Sequence, residues 1–318
     1  MKLSLIITKL LLFPYILFSQ GVISTQLNKE ISKTNAMSFI PITIEINDDF
    51  NVLELKREFE NNRTPIKQRA SIICERMQNI ALETQKEVLN IITHNANDYK
   101  NLKSSWIINT VFLDAKPALI KSISNHPDIA LINIQDTRTD IIEYEESANS
   151  NSAVLEDGTE PGIEAINIRP LWDMGYTGKG LVVFNYDTGV WPEHPAFSNR
   201  FLAKSYPMSQ CWDGYFSDIP NGHVSDHGTH TLGTMAGLVS ETNDTIGIAF
   251  NSYWIANDFV TSTVETLPPI EDMITSFEWA LNPDGDVTTY YDVPDVINNS
   301  WRWYNEIDTF QCSGYAVE

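Results

Sequence analysis

An acid and a base in this 318-residue chain stand in settings suited to proton transfer. Asp187 closes an apolar, β-branched run, Leu181-Val182-Val183-Phe184-Asn185-Tyr186, and is followed by Thr188-Gly189. His227, forty residues further on, opens the stretch Gly228-Thr229-His230-Thr231-Leu232-Gly233-Thr234. The carboxyl end of a strand is where open α/β sheets hold their working residues. A carboxylate there can accept the Nδ1 proton of an imidazole, fix its tautomer and stabilise the imidazolium formed when His takes a hydroxyl proton. Imidazole, with an unperturbed pKa near ~6.5, accepts and returns protons around neutrality.

Two elements must position this pair. The run 181–186 reads as a buried strand reached through the turn-rich Gly175-Tyr176-Thr177-Gly178-Lys179-Gly180. Residues 228–239 read as a helix rich in Gly228, Gly233, Ala236 and Gly237. Gly costs about 1 kcal/mol against Ala in a helix, so this composition implies close packing on a sheet. Two other readings compete. Asp-Thr-Gly alone is also a common way to turn out of a strand. His223, Asp226, His227 and His230 include His-x-x-x-His, which is metal-ligand spacing. The Gly after His227, and Asp187 preceding His227, favour proton transfer.

Further segments join these in a fixed order: Gly178-Lys179-Gly180, Asp187-Thr188-Gly189-Val190, His194-Pro195, His227-Gly228-Thr229-His230, Gly247-Ile248-Ala249 and Pro294-Asp295-Val296-Ile297-Asn298-Asn299-Ser300-Trp301. Together they resemble a subtilisin-like serine protease, a subtilase. The resemblance implies a subtilisin-like α/β fold, a parallel sheet with flanking helices, here incomplete. It implies that Asp187 orients the base and that His227 is the general base. It also implies that the segment holding Asn298, Ser300 and Trp301 binds substrate, its backbone pairing with an extended peptide as an added strand. Three departures stand out. Asp226 precedes His227 where the family usually has Gly, Phe250 stands where Pro is common, and the family's Gly-Asn-Gly and Gly-Thr-Ser-x-Ala segments are missing. The serines after His227 are Ser240, Ser252, Ser262, Ser276, Ser300 and Ser313, none in a nucleophile's context. Loss of the Ser alone removes a factor on the order of 10⁶ in turnover. The chain as written is therefore expected to be inactive, either as a truncated reading of a longer protease or as a remnant that binds or inhibits one.

The rest of the chain fits a secreted zymogen. Residues 1–21 combine Lys2, a short apolar core and Ser19-Gln20-Gly21, which reads as a signal peptide and falls short of the about 20 residues a membrane span needs. Residues 37–140 alternate strand (38–46), helix (66–94), strand (105–112), helix (117–125) and strand (129–133), a small α+β, ferredoxin-like unit. With Asn125-His126-Pro127-Asp128-Ile129 it resembles the inhibitor-like propeptide of many subtilases. Residues 141–161 are polar and acidic, a linker and processing region, and 162–318 form the first part of the catalytic domain. Peptides or proteins, and the chain's own propeptide, are the implied partners. Residues 1–154 carry a net charge of −2 and residues 155–318 a net −19, which disfavours nucleic acid and anionic membranes as partners. No cofactor is called for, although Asp284-Gly285-Asp286 offers oxygens to calcium without a full loop signature. Of Cys74, Cys211 and Cys312, the last two are a candidate disulfide in an exported protein, and partners elsewhere are equally open.

Overall fold

A computed structural model of the chain describes residues 22–135, 142–143, 160–221, 225–261 and 268–303. Residues 1–21, most of the linker, His223, Ser262, Cys312 and Ser313 lie outside this set. The described residues divide into two compact units. The first draws on residues up to 48, on 84–102 and on 110–135, and the second on 49–83, on 103–109 and on residues from 136 onward.

In chain order come β1 (Val22–Ile23), α1 (Thr25–Lys33), β2 (Ile40–Ile46), α2 (Val52–Asn62), α3 (Ile66–Thr84), α4 (Lys86–His94), β3 (Tyr99–Ser105), β4 (Thr110–Ala115), α5 (Pro117–Ile123) and β5 (Ile129–Ile134). The strands form one sheet in the order β1-β5-β2-β4-β3. Its centre, β2, is antiparallel to both neighbours. Ile40, Ile42, Ile44 and Ile46 recur every second residue, so they share one face. That face buries Leu27 and Ile31 from α1, Val88 and Ile92 from α4, and Leu119, Ile120 and Ile123 from α5. Ser24 starts α1 by accepting from the Leu27 N–H, and Pro117 opens α5, where a missing N–H costs nothing.

Two expectations need correction. The helix read over 66–94 breaks at Gln85, between α3 and α4. Neither Gly nor Pro marks the break, which falls where the chain passes from the second unit to the first. The strand read over 105–112 is the end of β3, a turn and the start of β4. Apolar Trp106-Ile107-Ile108 suggested continuity, but Asn109 takes φ 44°, a left-handed conformation that Asn tolerates and a strand excludes.

The second unit continues with β6 (Ile142–Glu143), α6 (Pro161–Ala165), α7 (Arg169–Asp173), β7 (Val182–Asn185), β8 (Trp212–Asp213), α8 (His227–Ala236), β9 (Leu238–Val239), β10 (Asp244–Thr245), β11 (Tyr253–Asn257), α9 (Ile270–Leu281), β12 (Val296–Asn298) and β13 (Arg302–Trp303). Four of these strands make a sheet in the order β12-β7-β11-β8, every pair parallel. Every residue of β7 is buried, as a parallel strand covered on both faces requires. Its Phe184 and the following Tyr186 join Phe197, Phe201 and Trp254 in an aromatic core. Trp254 stacks on Phe201 at 4.2 Å between ring centroids and donates its Nε1–H to the Phe197 carbonyl. The helix expected to run to Val239 ends at Ala236, because Leu238-Val239 leaves to pair with Asp244-Thr245.

Two contacts within this unit involve segments expected to lie outside the protease half. Glu278 of α9 accepts from the Ser105 hydroxyl at 2.7 Å and from the backbone N–H groups of Trp106 and Ile107 at 2.8 and 3.2 Å. In addition β6, at the start of the acidic linker, pairs antiparallel with β13, Glu143 opposite Arg302 and Ile142 opposite Trp303.

Candidate active site

Asp187 lies two residues past the end of β7, fully buried. The side-chain oxygen of Asn257, the last residue of β11, accepts the Asp187 N–H at 2.9 Å and so fixes the backbone there. The carboxylate is held by three donors. Oδ1 accepts the Thr188 N–H at 2.8 Å and faces His227 Nδ1 at 2.7 Å, and Oδ2 receives the Thr231 hydroxyl at 3.1 Å. An ionised carboxylate only accepts, so Nδ1 carries the proton and the acceptor nitrogen of the ring is Nε2.

His227 opens α8, where the first N–H groups of a helix lack internal partners. The Ser225 hydroxyl accepts the His227 N–H at 3.1 Å, and the Thr188 hydroxyl accepts the Gly228 N–H at 3.0 Å. Asp226, the residue in the N-cap position, makes no side-chain cap bond. The two motifs interlock through their glycines. A Cβ on Gly228 would lie 2.2 Å from the Gly189 carbonyl oxygen, and Gly189 itself adopts φ 100°. Both turns therefore demand Gly, one for space and the other for conformation.

The expected substrate-binding segment follows β12. Asn298 donates through Nδ2 to Asn185 Oδ1 at 3.2 Å and to the Ser300 hydroxyl at 2.9 Å. Trp301 turns its indole inward, Nε1–H donating to the Tyr186 carbonyl at 2.9 Å and the ring lying 5.4 Å from that of Tyr186. These side chains tie the segment to β7. The backbone pairing begins after them, at Arg302-Trp303.

Among the described residues, no three His, Cys, Asp or Glu side chains are grouped to hold a metal ion. His223 of the competing His-x-x-x-His arrangement lies outside the described residues, and His227 turns Nδ1 to Asp187. At Asp284-Gly285-Asp286 the carboxylates meet protein donors: Asp284 accepts from the Asp286 N–H and the Thr289 and Tyr291 hydroxyls, and Asp286 from Thr288. Among the described residues, Cys74 and Cys211 are buried and in no disulfide, their thiols pushed by burial up to about 11 and about 12, and Cys312 lies outside that set. Of the described serines after His227, Ser252 and Ser276 are fully buried, and Ser276 accepts from Asn257.

Sequence reading missed Asn185, Ser225, Thr231 and Asn257. Asn185 carried a signal, a lone amide inside an otherwise apolar strand, which a buried position tolerates only when hydrogen-bonded.

Residues 178–312 match the model of the Subtilase family, peptidase S8. The chain is 25% identical over 262 residues to Bacillopeptidase F of Bacillus subtilis (strain 168), a match covering 76% of this chain and 18% of that protein. Minor extracellular protease Vpr of the same organism is 28% identical over 182 residues, 52% of this chain and 21% of Vpr. The chain thus spans less than a quarter of the length of either relative. Among solved structures, the epidermin leader peptide processing serine protease of Staphylococcus aureus has TM-score 0.44 and 13% identity, over 82% of this chain and 50% of that one.

Proposed function

We propose that the chain carries the acid–base pair of a secreted, propeptide-bearing serine endopeptidase of the subtilisin type. The observation behind this reading is the 2.7 Å contact between a fully buried strand-end Asp187 and the first residue of α8, His227. With Nδ1–H committed to Asp187, Nε2 takes the proton of a serine hydroxyl as it attacks the peptide carbonyl, then returns it to the leaving amine. Asp187 stays ionised and lowers the energy of the transient imidazolium. The nucleophile is assigned to none of the described serines.

The antiparallel pairing of Ile142-Glu143 with Arg302-Trp303 supports two parts of the reading. The segment after β12 accepts an extended strand, and the strand it accepts comes from the start of the acidic linker. Residues 37–140 then act as an inhibitor-like propeptide, and the strand that follows them, Ile142-Glu143, takes the place of an extended peptide. Export is supported by the basic, apolar start of the sequence and by the extracellular relative. Among the described residues no helix is long and apolar enough to cross a membrane.

Mass spectrometry of the secreted product tests the proposal. With a downstream segment supplying the nucleophilic serine restored, cleavage between Glu143 and Pro161 is expected in the parent and is expected to stop in both Asp187→Asn and His227→Ala. Unchanged cleavage in the two variants would mean that another protease cuts the linker.

A further inference from the structure

Behind the Asp187–His227 pair lies a choice that one hydroxyl proton has to make. Thr231 sits one turn into α8, and its Oγ1 has three acceptors within reach: Asp187 Oδ2 at 3.1 Å, the Gly228 carbonyl at 3.1 Å and Asn185 Oδ1 at 3.2 Å. A hydroxyl donates one proton, so two of the three must go without it. Asn185 engages both rivals of Asp187. Its Nδ2 donates to the Gly228 carbonyl at 2.8 Å, and its Oδ1 accepts from Asn298 Nδ2 at 3.2 Å. With those two acceptors supplied, the Thr231 proton goes to the carboxylate, the strongest acceptor of the three.

We infer that Asn185 is a positioning residue for the proposed proton transfer: by satisfying Gly228 and taking the Asn298 amide, it directs the Thr231 hydroxyl to Asp187 Oδ2 and leaves Oδ1 to hold His227. Asn185 touches neither the imidazole nor a substrate and acts through Thr231. It also ties three elements at one point, because Asn185 ends β7, Gly228 and Thr231 lie in the first turns of α8, and Asn298 ends β12. The peptide-pairing segment that follows Asn298 is thereby linked to the carboxylate through one amide and one hydroxyl. Burial makes the link matter: Asn185 and Asp187 are fully shielded, so water cannot stand in for a lost partner.

The inference rests on reading Asp187 and His227 as a proton-transfer pair, and the test separates the two. Proton NMR of the intact chain follows the His227 Nδ1 proton, expected as a low-field resonance that disappears in Asp187→Asn. Exchange of that proton with solvent is then compared in Asn185→Leu, Thr231→Val and the double variant. Each single change is expected to speed exchange about tenfold or more, the cost of one hydrogen bond to a charged acceptor. The double variant should be no faster than either single, since both act through the same hydrogen, and Thr231→Ser should behave like the parent. Asn298→Leu, at the half-buried end of the chain of contacts, covers the case in which Asn185→Leu does not fold. It frees Asn185 Oδ1 and should raise exchange by a smaller factor, about threefold. An Asp187-dependent resonance whose exchange is unmoved by these changes, or changes whose effects add in the double variant, would overturn the role of Asn185. A resonance that persists in Asp187→Asn would overturn the underlying pair instead, and the positioning role with it.

Discussion

Asp187 is a carboxylate with no exposure to water, and such a charge is stable only when its oxygens are fully served. The Thr188 N–H, the Thr231 hydroxyl and His227 serve them, which makes the position intolerant of an isosteric amide. Asp187→Asn presents an NH₂ where Nδ1–H needs an acceptor, favouring the wrong tautomer. In a form carrying a downstream segment that supplies the nucleophilic serine, turnover on a peptide substrate is expected to fall by about 10⁴ with little change in structure, read from kcat and a circular dichroism spectrum. A fall of less than about tenfold would mean that His227 needs no acid beside it. Gly228→Ala tests the interlock of the two motifs. Its Cβ would meet the Gly189 carbonyl at 2.2 Å, backbone against which no side chain can yield. A loss of about 1–3 kcal/mol in urea unfolding is expected, as for other overpacked sites. Unaltered stability would show that the turns are free to separate.

Strand β7 and helix α8 bring the pair together, and they differ in how openly the sequence displays them. The run ending at Asp187 was legible because Val182, Val183 and Phe184 are apolar without alternation, the mark of a strand covered on both faces. His227 was legible through its motif. The supports were harder to see: Asn185, Thr231 and Asn257 come from three elements and meet only once β7, β11 and α8 are packed. The broken helix at Gln85 and the turn at Trp106–Asn109 escaped for different reasons: Glu83-Thr84-Gln85-Lys86-Glu87 holds no Gly or Pro to end a helix, and Trp106-Ile107-Ile108 is apolar right up to Asn109. Packing between elements also dominates their stability. Trp254 of β11 is fully buried, stacks on Phe201 and donates to Phe197, so Trp254→Ala removes a filled volume and a hydrogen bond together. A cost of about 3–5 kcal/mol is expected in chemical denaturation. A cost below about 1 kcal/mol would mean that the aromatic cluster is not the core holding β11 in place.

For the whole molecule, the acidity of the second unit has a stability consequence at Asp213. Burial pushes its carboxyl from 3.8 up to about 6, with the Asp258 charge adding to the rise and a hydrogen bond from Ser276 opposing it. A carboxyl that is harder to ionise when folded holds more protons in the native state than in the unfolded one. Stability therefore falls as pH rises from about 4 to about 6 and stays reduced above that. Two pH units correspond to about 3 kcal/mol. Asp213→Asn is expected to stabilise the protein by up to that amount near neutral pH and to change nothing below about pH 4, in urea titrations at both ends. Equal effects at the two ends would show that Asp213 is not protonated by folding. The central claim, that His227 takes the proton of a serine hydroxyl, is tested most directly by the rate at which a fluorophosphonate labels protein isolated from its native host, parent against His227→Ala. Labelling of one serine that slows on the order of 10⁶-fold in the variant, together with loss of peptide cleavage, is the predicted result. Labelling and cleavage that proceed unchanged without the imidazole would contradict it.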